Sequence, residues 1–312
     1  MDVLIVGSLA YDSIASPLGT VENTLGGSAT YVGLSCAFHR NRLDLESVGL
    51  VGVVGSDFRN QDRAIFENAQ LDTQGIETVE GETFRWVGSY EGSMGQATTH
   101  ETHLNVFEHF EPKVPEHGRN PTVTFCANLH PAIQLSVLDQ SKPIRFSILD
   151  SMNLWIDIAH DTLVEAMKRV DIVVINDGEA SMLAGQENVV AAAKAVQKMA
   201  SIPTLIVKRG EHGVIALHGN EIIAMPSYPC PEVVDPTGCG DTFAGALAAC
   251  LASGKGEMTV TELRKALTHA TVTASFTLED FGTTILENIS QEVYQQRYKS
   301  YCEISGISVE SP

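Results

Sequence analysis

The residue in this chain best placed to do chemistry is an aspartate set inside a glycine turn at the head of an apolar helix. It lies in the stretch VVDPTGCGDTFAGALAACL, residues 233 to 251. Gly238 and Gly240 carry no side chains, so successive N–H groups, that of Cys239 among them, can converge on an anion. The apolar run from Phe243 supplies a helix whose N-terminus adds its dipole. Such a nest suits a phosphoryl group in transfer, whose charge develops on peripheral oxygens. Asp241 would repel those oxygens if it touched them. It fits the turn if it points instead at a hydroxyl and takes its proton as that oxygen attacks phosphorus. The same residues also fit a plain N-cap on an ordinary turn.

Two better-known phosphate turns are excluded. A dinucleotide turn expects G-x-G-x-x-G near the first strand, and here Phe243 occupies the third glycine position. No G-x-x-x-x-G-K-[ST] occurs anywhere. Other polar residues fall at strand-to-helix corners. Asn176 and Glu179 follow the run IVVI, and three-residue spacing lets both face one side of the turn. Glu179 suits Mg²⁺ held through its water shell, and Asn176 suits phosphates or those waters. A capping pair uses the same two residues. Lys208, Gly210 and Gly213 form a turn after TLIV, where Lys208 or Arg209 offers charge to an anion. The two histidines of HETH, His100 and His103, point to opposite faces if the segment is a strand, which argues against a metal pair.

The elements that must hold these groups read as an α/β chain. Short branched runs at 3–6, 47–55, 122–127, 144–150, 171–176 and 203–208 alternate with helix patterns at 27–40, 58–69, 131–138, 160–169, 178–184 and 188–200. Consecutive apolar positions in those runs fit strands covered on both faces, hence a mainly parallel sheet wound on both sides. Helices at about 241–253, 260–279 and 289–301 close the unit, which is expected to span 1–312 as a single domain. Residues 9–24 and 82–107 break the alternation. They read as a small β-lid over the carboxyl ends of the strands, where open α/β sheets bind ligands.

Composition narrows the partners. Lys and Arg total 20 against 39 acidic residues, a formal charge of −19. That balance repels nucleic acid and anionic membranes, so any anionic ligand must be held by local donors or a metal ion. Six cysteines without C-x-x-C spacing fit reduced thiols, and the N-terminus lacks a signal-peptide pattern. A cytoplasmic protein is expected.

Four motifs in order resemble the ribokinase-like carbohydrate and nucleoside kinases, the PfkB family: LGGSATYVGLSCA (25–37), VVINDGEASMLAG (173–185), LIVKRGEHGVIAL (205–217) and DPTGCGDTFAGAL (235–247). The resemblance covers nearly the whole chain. It implies an ATP-dependent kinase with Mg²⁺, Asp241 as base and the backbone of Gly238, Cys239, Gly240 and Asp241 as the anion hole. It implies nucleotide contacts at Asn176, Lys208, Gly210, Gly213 and Thr237, with small side chains of 270–275 over adenine. Mg²⁺ would be held by Glu179 and Asn176, and a K⁺ by Asp235 and Thr237. The acceptor would meet Asp12, Gly26, Gly27 and Tyr31, with Asp12 gripping two neighbouring hydroxyls. Pro236 stands where the family commonly has Thr, Cys239 where it has Ala, and Tyr31 where sugar kinases often have Asn. Arg85 or Trp86 of the lid, and Asp150, Asn153 and Asn105, are further acceptor candidates. Polar candidates outnumber aromatic ones, which favours a small sugar phosphorylated on a primary hydroxyl. The alternatives are a nucleoside kinase of the same fold, in which Tyr31 and Trp86 stack on a base, and a non-catalytic sugar-binding or regulatory protein. A homodimer through the lid is also implied.

Overall fold

The computed structural model describes residues 1–92 and 94–308. Ser93, inside the expected lid, and residues 309–312 of the expected domain lie outside the described residues. In chain order the elements are β1 (Val3–Val6), β2 (Ala10–Ser16), β3 (Gly19–Gly26), α1 (Ser28–Leu43), β4 (Val48–Gly55), α2 (Asn60–Asn68), β5 (Asp72–Val79), β6 (Phe84–Tyr90) and β7 (Ala97–His103). There follow β8 (Val123–Cys126), α3 (Pro131–Gln140), β9 (Phe146–Asp150), α4 (Asn153–Ile158), α5 (His160–Met167), β10 (Ile172–Asn176), α6 (Asp177–Ala184), α7 (Val189–Ala200) and β11 (Thr204–Lys208). The chain ends with β12 (Val214–His218), β13 (Glu221–Met225), α8 (Cys239–Ser253), α9 (Val260–Thr277), α10 (Thr284–Asn288) and α11 (Gln291–Ser305).

One sheet runs β13-β12-β11-β10-β9-β8-β1-β4-β5. β12 runs against β11 and β13, and the remaining pairings are parallel. Alternation within the strands splits the core in two. Val3, Ile5, Phe125, Ile148 and Val174 face the layer of α1, α8 and α9. Leu4, Val6, Cys126, Leu149 and Val173 face the layer of α3, α5, α6 and α7. Each fully buried branched or aromatic side chain contributes roughly 1.5–3 kcal/mol, so a strand apolar on consecutive positions is held from both sides.

The lid is a second sheet, ordered β3-β2-β6-β7. Its strands fall within or beside the expected 9–24 and 82–107, with β3 running on to Gly26. Every residue of β7 is exposed. β5 has no counterpart in the apolar-run reading, because it is a half-exposed edge strand in which Asp72, Gln74 and Glu77 interrupt the apolar positions. After Asp150 the chain forms the short helix α4. Among the described residues no helix is long and apolar enough to cross a membrane.

Candidate active site

α8 is buried almost throughout, from Thr242 to Ala252, so its first turn can be fixed from several sides. The Ser35 hydroxyl of α1 donates to the Thr242 carbonyl at 2.6 Å, and the Thr277 hydroxyl of α9 donates to that of Thr242 at 3.0 Å. Gly238 precedes the helix with φ 73° and no side-chain cap. A Cβ there would collide with the ring of Tyr31, so only glycine fits. Among the described residues the N–H groups of Gly238 and Gly240 make no hydrogen bond, which leaves them free for an anion. The N–H of Cys239 is spent on the Pro236 carbonyl at 3.2 Å. That corrects the expected four-residue nest: the tight 236–239 turn consumes one of its donors.

Positive charge reaches the nest from below. Lys208 Nζ lies 3.0 Å from where a Gly240 Cβ would stand. It pairs with Asp150 at 3.1 Å and 3.3 Å from the two carboxylate oxygens. Burial works against its charge, but Asp150, Glu179 and Asp241 outweigh that and hold the ammonium above its ordinary value. Asp241 itself is pushed up to about 7, chiefly by desolvation and then by Asp150, with Lys208 opposing. A carboxyl poised there matches the requirement for a general base near neutral pH.

Asn176 ends β10, directly beside Lys208 in register. It forms a capping box with Glu179. The Asn176 N–H donates to Glu179 Oε2 at 2.8 Å and its amide to Oε1 at 2.6 Å. The Glu179 N–H returns to Asn176 Oδ1 at 2.8 Å. Both carboxylate oxygens are thus engaged, although each keeps a lone pair for a metal-bound water. Burial first, opposed by Lys208, raises Glu179 to about 7. Gly210 and Gly213 frame the turn after Lys208, where the Arg209 N–H donates to the Gly213 carbonyl at 2.8 Å. Ala270, Ala274 and Ser275 are buried in α9, and the Ala274 carbonyl accepts from Cys239 Sγ at 3.5 Å.

On the acceptor side, Asp12 is 5% exposed. It is raised to about 7 by burial and then by Asp235, while the Gly27 N–H opposes. A Cβ on Gly26 would strike its carboxylate. Gly27 turns at φ 91° into α1, where Ser8 and Ser28 clasp the end of β1 through reciprocal N–H to Oγ bonds of 3.0 Å and 3.1 Å. Register puts Trp86 beside Asp12 on the same face of the lid, while Arg85 sits beside Tyr11 on the other. Arg85 is occupied there by Asp57 at 2.7 Å and Asn23 at 2.6 Å, so it does not lie over the acceptor. Asp235 is fully buried and accepts from the N–H of Thr237 at 2.8 Å and of Gly282 at 3.2 Å. Among the described residues there is no cluster of three or more His, Cys, Asp or Glu set to hold a metal.

Four expectations change. Tyr31 is 1% exposed, and its ring lies against Gly238, so it cannot present a face to a base. Asp150 is committed to Lys208. Asn153 is exposed at the start of α4, with its side chain capping Leu154 N–H. Asn105 donates to the Thr83 carbonyl at 2.9 Å. Tyr90 was not among the expected residues, although it ends the lid strand β6, FRWVGSY, on the face that alternation assigns to Trp86. Its hydroxyl accepts from that of Thr237 at 3.2 Å.

The family model described as pfkB family carbohydrate kinase matches residues 2–289. The chain belongs to that family. Within the pfkB kinases it is 29% identical over 262 residues to a cytidine kinase of Thermococcus kodakarensis, a match covering 82% of this chain and 90% of the relative. Its fold is that of a Methanocaldococcus jannaschii nucleoside kinase (TM-score 0.75, 17% identity, 96% and 99% of the two chains covered). It is also that of a Vibrio cholerae fructokinase double mutant with fructose, ADP and potassium bound (TM-score 0.78, 17% identity, 94% and 97% covered). As a pfkB kinase it is an ATP-dependent phosphotransferase.

Proposed function

We propose that this kinase transfers the γ-phosphoryl of ATP to the primary hydroxyl of a neutral ribonucleoside. The observation that carries the reading is the register of Asp12 and Trp86, side by side on the lid face that bears Asp12. A carboxylate that accepts from two hydroxyls beside an aromatic plane suits a ribose diol with a base attached. The polar groups that favoured a free sugar are engaged elsewhere: Asp150 with Lys208, Asn153 with its own helix, Asn105 with Thr83. The cytidine kinase relative points the same way. An anionic acceptor is disfavoured, because Asp12, Asp235 and Asp241 crowd the acceptor side while Arg59 and Arg85 are paired with Asp62 and Asp57.

In this reading Asp241 takes the proton of the attacking hydroxyl, and the N–H groups of Gly238 and Gly240 receive the charge that develops on the phosphoryl oxygens. Lys208, Asn176 and the 210–213 turn hold the nucleotide. The oxygen donors of Glu179 and Asn176 fit Mg²⁺ held through its water shell, and the ion would supply positive charge against the phosphates. Asp235 and Thr237 would place a K⁺ beside the turn. A free sugar is the second reading, favoured by the fructose-bound neighbour. Dimerisation through the exposed β7 edge and residence in the cytoplasm belong to the same proposal. An ADP-release assay across ribonucleosides, ribose, fructose and sugar phosphates tests it. Turnover of free sugars with none on nucleosides would reverse the choice, and ADP release from no acceptor would favour a binding protein.

A further inference from the structure

Tyr90 joins two parts of the site that do different work. It is the last residue of β6 and is 9% exposed, so its ring belongs to the lid that carries Asp12. Its hydroxyl accepts from Thr237 at 3.2 Å, and Thr237 leads directly into the anion-holding turn. Thr237 is fixed on its other side by its N–H bond to Asp235 at 2.8 Å. The ring of Tyr31, rising from α1, lies against Gly238 in the same turn. The Thr237–Gly238 peptide is therefore held between a lid tyrosine and a core tyrosine. The core contact is packing alone, because the Tyr31 hydroxyl is buried without a hydrogen-bond partner. Among the described residues, the Tyr90 bond is the hydrogen bond that links the lid to residues 235–241.

We infer that Tyr90 is a positioning residue that makes the anion hole depend on the place of the lid. An anion hole works only when its N–H groups point within a fraction of an ångström of the developing charge. Thr237 immediately precedes the free N–H of Gly238, so a shift in its side chain turns that donor. The bond is made in the ligand-free fold, so the seat of β6 in the lid, beside β2 and Asp12, fixes where Thr237 stands. Phosphoryl transfer then depends on a lid residue that touches neither the nucleotide nor the reacting hydroxyl. This role holds for a nucleoside or a sugar alike and rests only on the kinase assignment.

The test is Tyr90→Phe, which keeps the ring and removes the hydroxyl. Hydrogen exchange of the whole chain, read at the bonded amides of Thr237 and Cys239, should quicken by about tenfold, the scale of one lost hydrogen bond. With the acceptor found by the ADP-release panel, kcat should fall by about tenfold while KM for Mg-ATP stays within about twofold. ADP released with Mg-ATP alone should rise as a share of the total. Thr237→Val should reproduce the quickened exchange, and in exchange the double variant should add little to either single one. Unchanged exchange in Tyr90→Phe, or additive losses in the double variant, would overturn the inference. A wild-type chain that phosphorylates no acceptor would sink the nucleoside reading above, and the exchange comparison would still decide this one.

Discussion

Lys208, at the end of β11, reaches across β10 to set its ammonium 3.1 Å from the Asp150 carboxylate at the end of β9. Asp150 is 4% exposed at the side chain and Lys208 20%. Burial alone raises Asp150, and Lys208 first, then the Ser151 N–H, opposes it. Lys208→Met should therefore leave a buried carboxylate without its counter-charge, a change that typically costs about 3–5 kcal/mol. Both melting temperature and affinity for Mg-ATP should fall. Adding Asp150→Asn should restore much of the melting temperature and little of the nucleotide affinity, because the phosphates still lack their cation. Recovery of both together would mean that Lys208 serves the fold alone.

Acidity should act on stability and on rate in opposite directions. Asp12, Glu179 and Asp241 are all raised to about 7 in the folded chain. The folded state then binds more protons than the unfolded one between about pH 4 and 7. Stability of the ligand-free protein falls as pH rises through that window. With Asp241 as the proposed base, the reaction needs it ionised, so kcat/KM should climb with pH toward a plateau above about 7. Denaturant midpoints and rates measured across pH 5–8 check both limbs, and Asp241→Asn should flatten part of the stability limb.

Removal of the proposed base separates chemistry from binding. Asp241→Asn should lower turnover by roughly 10²–10⁴ and leave Mg-ATP affinity near wild type. Glu179→Gln should instead weaken nucleotide binding, with part of the loss relieved by higher Mg²⁺. It also loosens the capping box that Glu179 closes on Asn176. A drop in melting temperature for Asp241→Asn with an unchanged rate would restore the plain helix-cap reading.

The motifs were legible because each is local. Gly238, Gly240 and Asp241 sit within four residues, and Asn176 with Glu179 within four more, so backbone geometry alone brings each set together. The parallel strands were legible for a similar reason: burial on both faces writes an unbroken apolar run into β1, β10 and β11. β5 was not, because an edge strand tolerates Asp72, Gln74 and Glu77. Pairings across the fold were also hidden. Nothing near Asp150 announces a lysine 58 residues away, and Tyr31 reads as a free aromatic until Gly238 is found against its ring. Tyr90 was within reach, since period-two alternation from Trp86 through Gly88 puts it on the site-facing side.

Monovalent ions should matter if Asp235 and Thr237 hold one. Both Asp235 oxygens already accept backbone N–H bonds, so an ion there would use their remaining lone pairs and stiffen the turn. Rates in K⁺ should exceed those in tetramethylammonium at equal ionic strength. Equal rates would remove the ion from the site.

The choice of acceptor turns on Trp86. Its indole N–H donates to the Thr99 hydroxyl at 3.2 Å, and its ring covers the space where a Gly88 Cβ would lie. The side chain is thus ordered before any ligand arrives, which lowers the entropy cost of stacking a base on it. Trp86→Ala should raise KM for a ribonucleoside by about 5- to 150-fold, the range expected from a stacking contribution of about 1–3 kcal/mol. KM for Mg-ATP should not move. Asp12→Ala should weaken nucleosides and free sugars alike, because both present neighbouring hydroxyls to that carboxylate. Steady-state kinetics of the two variants on cytidine and on ribose give four comparisons. If Trp86→Ala harms ribose as much as cytidine, the ring supports the lid, not a base, and the acceptor reverts to a free sugar.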